Sequence, residues 1–269
     1  MSTYFGELVK KFWMHPCARS IDIDSEARIP QHRKMIEAKP LLKAVYEKHY
    51  QEFVPAFEET RLLPGKIVEI GCGASFLEEY ISDLEKTDSL PNPYAHRVVD
   101  AMNMDYSDGS VRAFFMLGVL HHLHEPARFL KEAMRCLTVG GRVVMVEPHN
   151  SFLQRFLCKL MNHYEYFDDA IEEWKNLDSG NMSNANLALP WVIFVRDQKK
   201  FASEFPNLSI KEIRYHTFSS YIVSGGMTYR SFLPGCAKPA VNTLEAILKP
   251  WMTKFGTTMT IDLVKTNIN

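Results

Sequence analysis

This 269-residue chain predicts an α/β fold whose sheet is mostly parallel. The apolar stretch Lys66–Ile70 runs directly into the glycine pair Gly71 and Gly73, which is typical of a buried strand followed by a tight turn. Further short apolar runs follow between residues 85 and 147, and segments with helical spacing separate some of them. This alternation is typical of a parallel sheet with crossover helices.

The composition is that of an ordinary globular protein, with 46% hydrophobic and 23% charged residues. A net charge of −1 disfavours a general polyanion-binding surface, so we expect no nucleic-acid partner. The five cysteines are scattered without CxxC spacing, which favours a reducing compartment. The first residues lack the layout of a signal peptide, and no apolar run approaches the roughly 18 residues of a spanning helix. We therefore expect a cytoplasmic protein with no integral membrane segment.

The first 60 residues are mostly helical in pattern. The stretch Tyr4–Trp13 carries an apolar stripe with helical spacing, and a second helical stretch runs from about Gln31 to Thr60. Pro40 and Pro55 interrupt that second stretch, because proline is tolerated only in the first turn of a helix.

The five core strands and their connections can be assigned in chain order. The predicted strands are Lys66–Gly71, Glu85–Asp88, His96–Asp100, Val111–Leu117 and Arg142–Glu147. Helical spacing predicts helices over Ser75–Leu84 and Glu125–Leu137, and Thr138–Gly141 is predicted to be a turn.

The pattern changes after Pro148. The segment Phe152–Met161 carries an apolar stripe beside basic residues, for which packing over a site is favoured, with a dimer contact and a membrane surface as alternatives. Residues 209–218 and 258–265 alternate like strands, and a helix is expected over about residues 240–255.

The glycine pair predicts a loop that contacts a ligand with backbone N–H groups, the alternative being an ordinary strand-to-helix turn. Gly71, Cys72 and Gly73 begin the pattern GxGxxG, but Phe76 occupies the third glycine place. Because a pyrophosphate needs that third close backbone approach, a dinucleotide is disfavoured.

Two acids end the neighbouring strands. Asp88 follows the second strand, where a carboxylate can accept both hydroxyls of a ribose. Asp100 closes the third strand and could accept the amine of an adenine, with Ala101 and Met102 beside the ring. The alternatives are turn-forming acids and a core methionine.

Histidines near the ends of the fourth and fifth strands are candidates for catalysis. His121, His122 and His149 are candidate general bases, because the pKa of an imidazole lies near working pH. A metal site on the HHLH stretch would need a third ligand and a supporting carboxylate, and neither is evident in the sequence. We therefore predict no metal site, and each histidine could instead be solvated or satisfied in the core.

Together these residues resemble the class I S-adenosylmethionine-dependent methyltransferases, specifically the small-molecule group. The resemblance rests on VEIGCG (68–73), Asp88, VVDAMNMDYSDGS (98–110), FFMLGVLHHLHEPARFLKEAMRCL (114–137) and TVGGRVVMVEP (138–148). It implies a Rossmann-like seven-stranded sheet, mostly parallel with the last strand antiparallel. It also implies S-adenosylmethionine as the cofactor.

The resemblance also implies roles for individual residues. Glu69, Gly71, Cys72 and Gly73 would line the methionine moiety, Asp88 would hold the ribose, and Asp100, Ala101 and Met102 would frame the adenine. Leu117 and Gly118 would pass beside the sulfonium. The chain would then form a single methyltransferase domain over 1–269, made of an N-terminal helical extension (1–64), a cofactor-binding core (65–149), a helical cap (150–206) and the last two strands (207–269).

The function expected from the sequence is methyl transfer to a small-molecule acceptor, with an oxygen atom favoured and a homodimer possible. One alternative is a catalytically silent S-adenosylmethionine-binding module that acts through a partner. A second is a nicotinamide-dependent oxidoreductase, which Phe76 disfavours, and a third is a metal-dependent hydrolase built on the HHLH stretch. The sequence carries no motif that identifies the acceptor.

Overall fold

The computed structural model describes residues 12–18, 25, 27–161, 165–176 and 185–267, without the side chains of residues 160 and 161. The predicted apolar stripe Tyr4–Trp13 lies outside these residues except for Phe12 and Trp13, which are both exposed. Within the described part of the chain, no helix is long and apolar enough to cross a membrane.

Seven strands form one sheet in the spatial order β3-β2-β1-β4-β5-β7-β6. The strands are β1 (Lys66–Ile70), β2 (Leu84–Asp88), β3 (Arg97–Val98), β4 (Val111–Leu117), β5 (Leu137–Pro148), β6 (Leu208–His216) and β7 (Thr258–Lys265). The neighbouring strands β3, β2, β1, β4 and β5 pair in parallel. Strand β7 runs antiparallel to both β5 and β6. The predicted fold class, with its antiparallel last strand, is confirmed.

Helices cover both faces of the sheet. The α-helices are α1 (Arg28–Ala38), α2 (Pro40–Gln51), α3 (Val54–Glu59), α4 (Pro126–Cys136), α5 (Phe152–Met161), α6 (Leu189–Trp191), α7 (Gln198–Glu204), α8 (Ser220–Ser224), α9 (Lys238–Leu248) and α10 (Met252–Phe255). One core packs α4 and residues 188–205 against the sheet, and the other packs residues of α1, α2 and α3 against its opposite face. Pro40 and Pro55 lie in the first turns of α2 and α3, as predicted.

The helix predicted over Ser75–Leu84 is wrong. The segment contains one 3₁₀ turn, Leu77–Glu79, and Leu84 already pairs with Ile67 as the first residue of β2. Asp83 adopts a positive φ of 57° immediately before that strand, a conformation that cannot continue a right-handed helix. The apolar spacing read as helical arises because Phe76, Leu77 and Ile81 all pack into the core.

The segment 150–206 divides into parts with different surroundings. Residues 189–204 are largely buried against the sheet, with Phe194 and Phe201 among the core side chains. On α5, by contrast, Phe152 is 72% and Phe156 53% exposed. The apolar stripe of α5 therefore leaves these two rings in solvent.

Two buried cationic side chains, Arg142 and Lys39, connect elements that are distant in sequence. Arg142 on β5 donates to both carboxylate oxygens of Asp262 on β7, with Nε to Oδ1 at 2.8 Å, and also pairs with Glu59. Lys39, at the junction of α1 and α2, donates through Nζ to the carbonyls of Gly226 and Tyr229, the latter at 2.7 Å. The N-terminal helices are thereby tied to the loop that follows α8.

Candidate functional site

A cavity of about 720 Å³ opens where β1, β4 and β5 end. Its lining comes from several parts of the described chain. Helices α1 and α2 and the carboxyl ends of the parallel strands contribute most of it. The remainder includes Met14, Ala18, Gln154, Glu165, Asn176, Ala185, Leu187 and residues between 221 and 258. Ligands of open α/β sheets bind at this edge, because the strand-to-helix connections there leave backbone groups and polar side chains accessible.

The glycine loop after β1 forms one wall of the cavity. Gly71 and Gly73 have positive φ angles of 65° and 50°. A Cβ on Gly71 would lie 2.7 Å from a methyl group of Val119, whereas a Cβ on Gly73 would meet no atom within 4 Å. Gly71 is therefore required by close packing, and the backbone at Gly73 offers open space to a ligand. Cys72 between them is buried, and its N–H donates to the carbonyl of Thr87 at 2.8 Å.

Asp88 lies at the end of β2, against the glycine loop. Its Oδ2 accepts the N–H of Gly73 at 2.9 Å and the side-chain amide of Asn92 at 2.8 Å. The Asn92 amide also donates to the carbonyl of Gly73 at 2.8 Å. Asn92 was not a predicted site residue, because an asparagine in a proline-bearing loop carries no recognisable spacing. It fixes both the carboxylate and the loop.

Glu69 is a buried acid on β1 that lines the same cavity. Its Oε2 has no hydrogen-bond partner among the described residues. Burial raises the pKa of Glu69 to about 8, against the smaller opposing effects of a hydrogen bond from Ser75 and the charge of Lys86. The carboxyl group is therefore mostly protonated at neutral pH.

The end of β3 contributes the next part of the wall. Asp100, Ala101 and Met102 all line the cavity. The Asp100 side chain accepts the N–H of Met102 at 2.8 Å, a local turn that holds these three residues in one arrangement. Asp100 is exposed and Ala101 is buried.

Leu117 and Gly118 place the backbone of β4 at the centre of the cavity wall. Gly118 has a φ of 65°, and its N–H donates to the carbonyl of Val146 on β5 at 2.8 Å. A Cβ on Gly118 would lie 3.8 Å from Cε1 of His121. The His121 ring therefore adjoins the point at which β4 reaches the cavity.

Glu147 organises the loop after β4. One oxygen of this fully buried carboxylate accepts the N–H groups of Val119 and Leu120, at 2.9 and 2.7 Å. The other oxygen lies 2.6 Å from Nδ1 of His121. Burial lowers the pKa of His121, but the charge and hydrogen bond of Glu147, aided by Glu165, outweigh it and raise the pKa to about 9. His121 is therefore protonated at neutral pH, which removes the free lone pair that a general base requires.

Glu165 faces both histidines from the opposite side. Its Oε1 lies 3.6 Å from Nε2 of His121 and 3.6 Å from Nε2 of His122. The centroids of the two imidazole rings are 4.0 Å apart. Glu165 was not a predicted site residue, because it lies far along the chain in an acidic aromatic stretch with no spacing that relates it to the histidines.

The third predicted base, His149, is not among the residues that line the cavity. Its Nε2 lies 2.9 Å from the carbonyl of Thr253, and its ring packs against Tyr215 with centroids 4.4 Å apart. It is buried outside the cavity, so the structure does not bring it together with His121 and His122.

The N-terminal helices also line the cavity. Tyr46, His49 and Tyr50 of α2 line it, as do His32 of α1 and Tyr221 of α8. These residues carry no motif, because a helix that covers a site is indistinguishable in sequence from one that covers a core.

A family model described as a methyltransferase domain matches residues 68–145. Tocopherol O-methyltransferase of Arabidopsis thaliana is 24% identical over 102 residues, which cover 30% of this chain and 29% of that protein. This chain thus aligns with under a third of the length of the curated relative.

Two solved structures are similar in fold. A geranyl diphosphate C-methyltransferase from Streptomyces coelicolor, in complex with Mg²⁺, geranyl diphosphate and S-adenosyl-L-homocysteine, is 11% identical, with 94% of this chain and 89% of that chain covered and a TM-score of 0.48. The YcgJ protein from Bacillus subtilis is 13% identical, with 82% and 100% covered and a TM-score of 0.46.

Proposed function

We propose that this chain, which carries a class I S-adenosylmethionine-dependent methyltransferase domain as its sequence predicts, methylates an oxygen atom of a small apolar acceptor. S-adenosylmethionine is its cofactor. Bound S-adenosylmethionine supplies a methyl group activated by a positively charged sulfur. The acceptor, the acceptor atom and the roles of individual residues are part of the proposal. A cytoplasmic location and a homodimer remain predictions from the sequence.

The cavity wall fits this cofactor. The unpartnered Oε2 of Glu69 and the open backbone face of Gly73 suit the ammonium and carboxylate of its amino-acid tail. Asp88, held by Gly73 and Asn92, would accept the ribose hydroxyls, and Asp100 with Met102 would contact the adenine. Gly118 would leave space for the sulfur.

The rest of the cavity would hold the acceptor. Ile29, Val45 and Tyr46 line it from the N-terminal helices, and Tyr221 and Met227 line it from the segment beyond β6. Apolar and aromatic walls with few polar groups are typical of small-molecule sites, and a cavity of about 720 Å³ lies within their usual size range. This lining favours an apolar or ring-bearing acceptor.

The polar groups nearest Gly118 favour a hydroxyl as the reacting group. A hydroxyl must lose its proton as its oxygen attacks the methyl carbon, whereas the sulfonium needs no further activation. Since His121 is already protonated, His122 and Glu165 are the members of the cluster that would accept the proton. The protonated His121 would hold the acceptor oxygen in line with the methyl group.

The observation that carries the proposal is the continuity of one cavity from Glu69 to Glu165. The test is incubation with S-adenosylmethionine and paired apolar acceptors that differ only in bearing a hydroxyl, an amine or neither. Mass spectrometry then measures S-adenosylhomocysteine and the methylated product. We expect methyl ethers from the hydroxyl members alone.

The matched variants are Asp88→Asn, in the proposed ribose site, and Asp83→Asn, in the exposed turn before β2. We expect the first to raise the KM for S-adenosylmethionine at least about tenfold, the loss expected when a hydrogen bond to a charged group is removed, and the second to leave it unchanged. Products methylated on nitrogen or carbon would overturn the assignment of oxygen. Binding of the cofactor without turnover of any acceptor would overturn the proposed activity.

A further inference from the structure

We propose that His121, His122 and Glu165 bind a divalent transition-metal ion of the zinc type at the inner end of the cavity. Each of the three offers one ligand atom, and these atoms all lie within 4.8 Å of one another. Two imidazole nitrogens and one carboxylate oxygen are a common ligand set of catalytic zinc, which keeps a fourth position open for water or substrate. All three residues line the cavity, so that fourth position faces the space left for a ligand.

The distances are close to those that an ion requires. Ligand atoms about 2.0–2.1 Å from a tetrahedral ion lie about 3.3 Å from one another. Oε1 of Glu165 is 3.6 Å from Nε2 of His121 and 3.6 Å from Nε2 of His122. The ligand atoms of the two histidines lie within 4.8 Å of each other, so they would move closer together around a bound ion.

The surroundings orient the ligands as they do in known metal centres. A metal-bound histidine commonly donates its other ring N–H to a carboxylate, which fixes the tautomer and the direction of the ring. Nδ1 of His121 lies 2.6 Å from the buried Glu147, so its Nε2 is the atom directed at Glu165. Asn176 donates to the backbone carbonyls of His121 and Leu123, at 2.7 and 2.8 Å, and so holds the loop that carries both histidines.

The charge of the cluster also favours a cation. Glu147 is fully buried and Glu165 largely so. In the ion-free cluster the proton on His121 offsets one of these two carboxylates. An ion bound at Nε2 of His121 would displace that proton and leave a ligand set with a charge of −2. Buried charges are stable only when they are paired or bound to a metal. A divalent ion would bring this charge to zero.

The position of the site suggests what the ion does, and this step rests on the proposed function. The ion would bind the acceptor hydroxyl beside Gly118 and lower the pKa of that oxygen, as zinc lowers the pKa of bound water to about 7. The oxygen–carbon bond then forms as the sulfur–carbon bond breaks, the sulfur keeps the electron pair, and the hydroxyl proton passes to solvent. With the ion bound, His121 and His122 would serve as its ligands. These roles would replace the proton-accepting role of His122 and the hydrogen bond from protonated His121 described above for the ion-free site.

The test measures ion binding directly. Protein stripped with a chelator is titrated with Zn²⁺ against a chromophoric competitor, and with Co²⁺ while the visible absorption of the bound ion is recorded. We expect one ion per chain and an absorption band typical of a tetrahedral Co²⁺ site. His122→Ala and Glu165→Gln should each weaken Zn²⁺ binding at least about tenfold, and His124→Ala, a neighbouring histidine outside the cluster, should not.

Binding of S-adenosylhomocysteine, measured on each variant by calorimetry, separates loss of the ion site from loss of the fold. A wild-type chain that binds no ion stoichiometrically would overturn the inference, as would a Glu165→Gln variant with unchanged Zn²⁺ affinity. One bound ion together with no methyl transfer would refute the proposed function and leave the metal site standing. Full methyl transfer by ion-free protein would refute the proposed role of the ion in the reaction and leave the proposed function standing.

Discussion

At the scale of single residues, the buried acids determine the chemistry of the cavity. Glu147 is paired on both oxygens and supports the loop after β4. Glu69, by contrast, has one oxygen without a hydrogen bond among the described residues, and burial raises its pKa to about 8. A buried group in this condition is stable in its neutral form and ionises once a cation is placed against it.

We therefore expect cofactor binding to release a proton from Glu69. At pH 7 the carboxyl group is mostly protonated, and the ammonium group of a bound S-adenosylhomocysteine would favour its ionised form. Calorimetric titration in two buffers of different ionisation enthalpy should show the release of up to about one proton per cofactor. The Glu69→Gln variant should show none, and Glu79→Gln, which changes an exposed acid, should behave as the wild type. Heats that do not depend on the buffer would contradict this assignment.

Among the residues that line the cavity, those predicted from the sequence have a local signal. Gly71 and Gly73 adjoin a strand, and Asp88 ends one, so position along the chain was enough to predict them. Glu165 and Asn92 became visible only in three dimensions, because folding brings them to the site from segments without a motif. The proximity of Glu147 to His121 likewise depends on the pairing of β4 with β5.

At the scale of elements, the central strands were predictable because turn residues bound each apolar run. The exceptions have physical causes. The helix predicted before β2 was wrong because the apolar spacing typical of a helix continued into the strand itself. The start of β5 was also misplaced: the strand begins at Leu137 instead of Arg142, because Thr138–Gly141, predicted to be a turn, remain in the sheet. A register shift between Val111 and Ala113 of β4 accommodates those residues.

The antiparallel pair β5–β7 contains the ion pair whose loss should be most costly. Among the described residues, Asp262→Asn leaves the buried Arg142 with only the half-exposed Glu59 as an acidic partner. We expect the free energy of unfolding to fall by about 3–5 kcal/mol, measured by urea denaturation. Replacing both residues, Arg142→Met with Asp262→Leu, should restore most of the loss, since apolar pairs of similar volume can substitute for a buried ion pair.

The control is Asp105→Asn, which removes a surface partner of Arg97. Exposed pairs contribute about 0–1 kcal/mol, so this variant should unfold near the wild-type midpoint. Equal losses in Asp262→Asn and Asp105→Asn would show that burial adds nothing to the β5–β7 pair.

At the scale of the whole molecule, histidines kept neutral by burial couple folding to pH. Burial lowers the pKa of His32 on α1 and of His216 on β6 to about 4, aided by nearby arginines, and lowers that of His49 on α2 to about 3. Between pH 6.5 and 4 the unfolded chain therefore binds protons that the folded chain excludes. Folding stability falls as the pH falls through this range.

We expect each of these histidines to add a slope approaching about 1.4 kcal/mol per pH unit to the unfolding free energy. His216→Gln should lower the slope of unfolding free energy against pH by the contribution of one histidine. Urea denaturation at pH values from 4 to 7 measures this slope. Glu69 contributes in the opposite direction over part of this range, but equally in both proteins, so it cancels in the comparison. Parallel profiles for His216→Gln and the wild type would show that His216 titrates normally in the folded state.

The strand order has a consequence for how the protein behaves at high concentration. β6 is the outermost strand beside β7, and an unpaired strand edge is a template on which further chains can add. Here that edge carries Lys211, Glu212 and Arg214, and its register shifts between Ile210 and Glu212. Adding a strand from another molecule would bury these charges and require the irregularity to straighten. The β6 edge therefore disfavours edge-to-edge aggregation, and self-association through the helical surfaces is favoured in comparison.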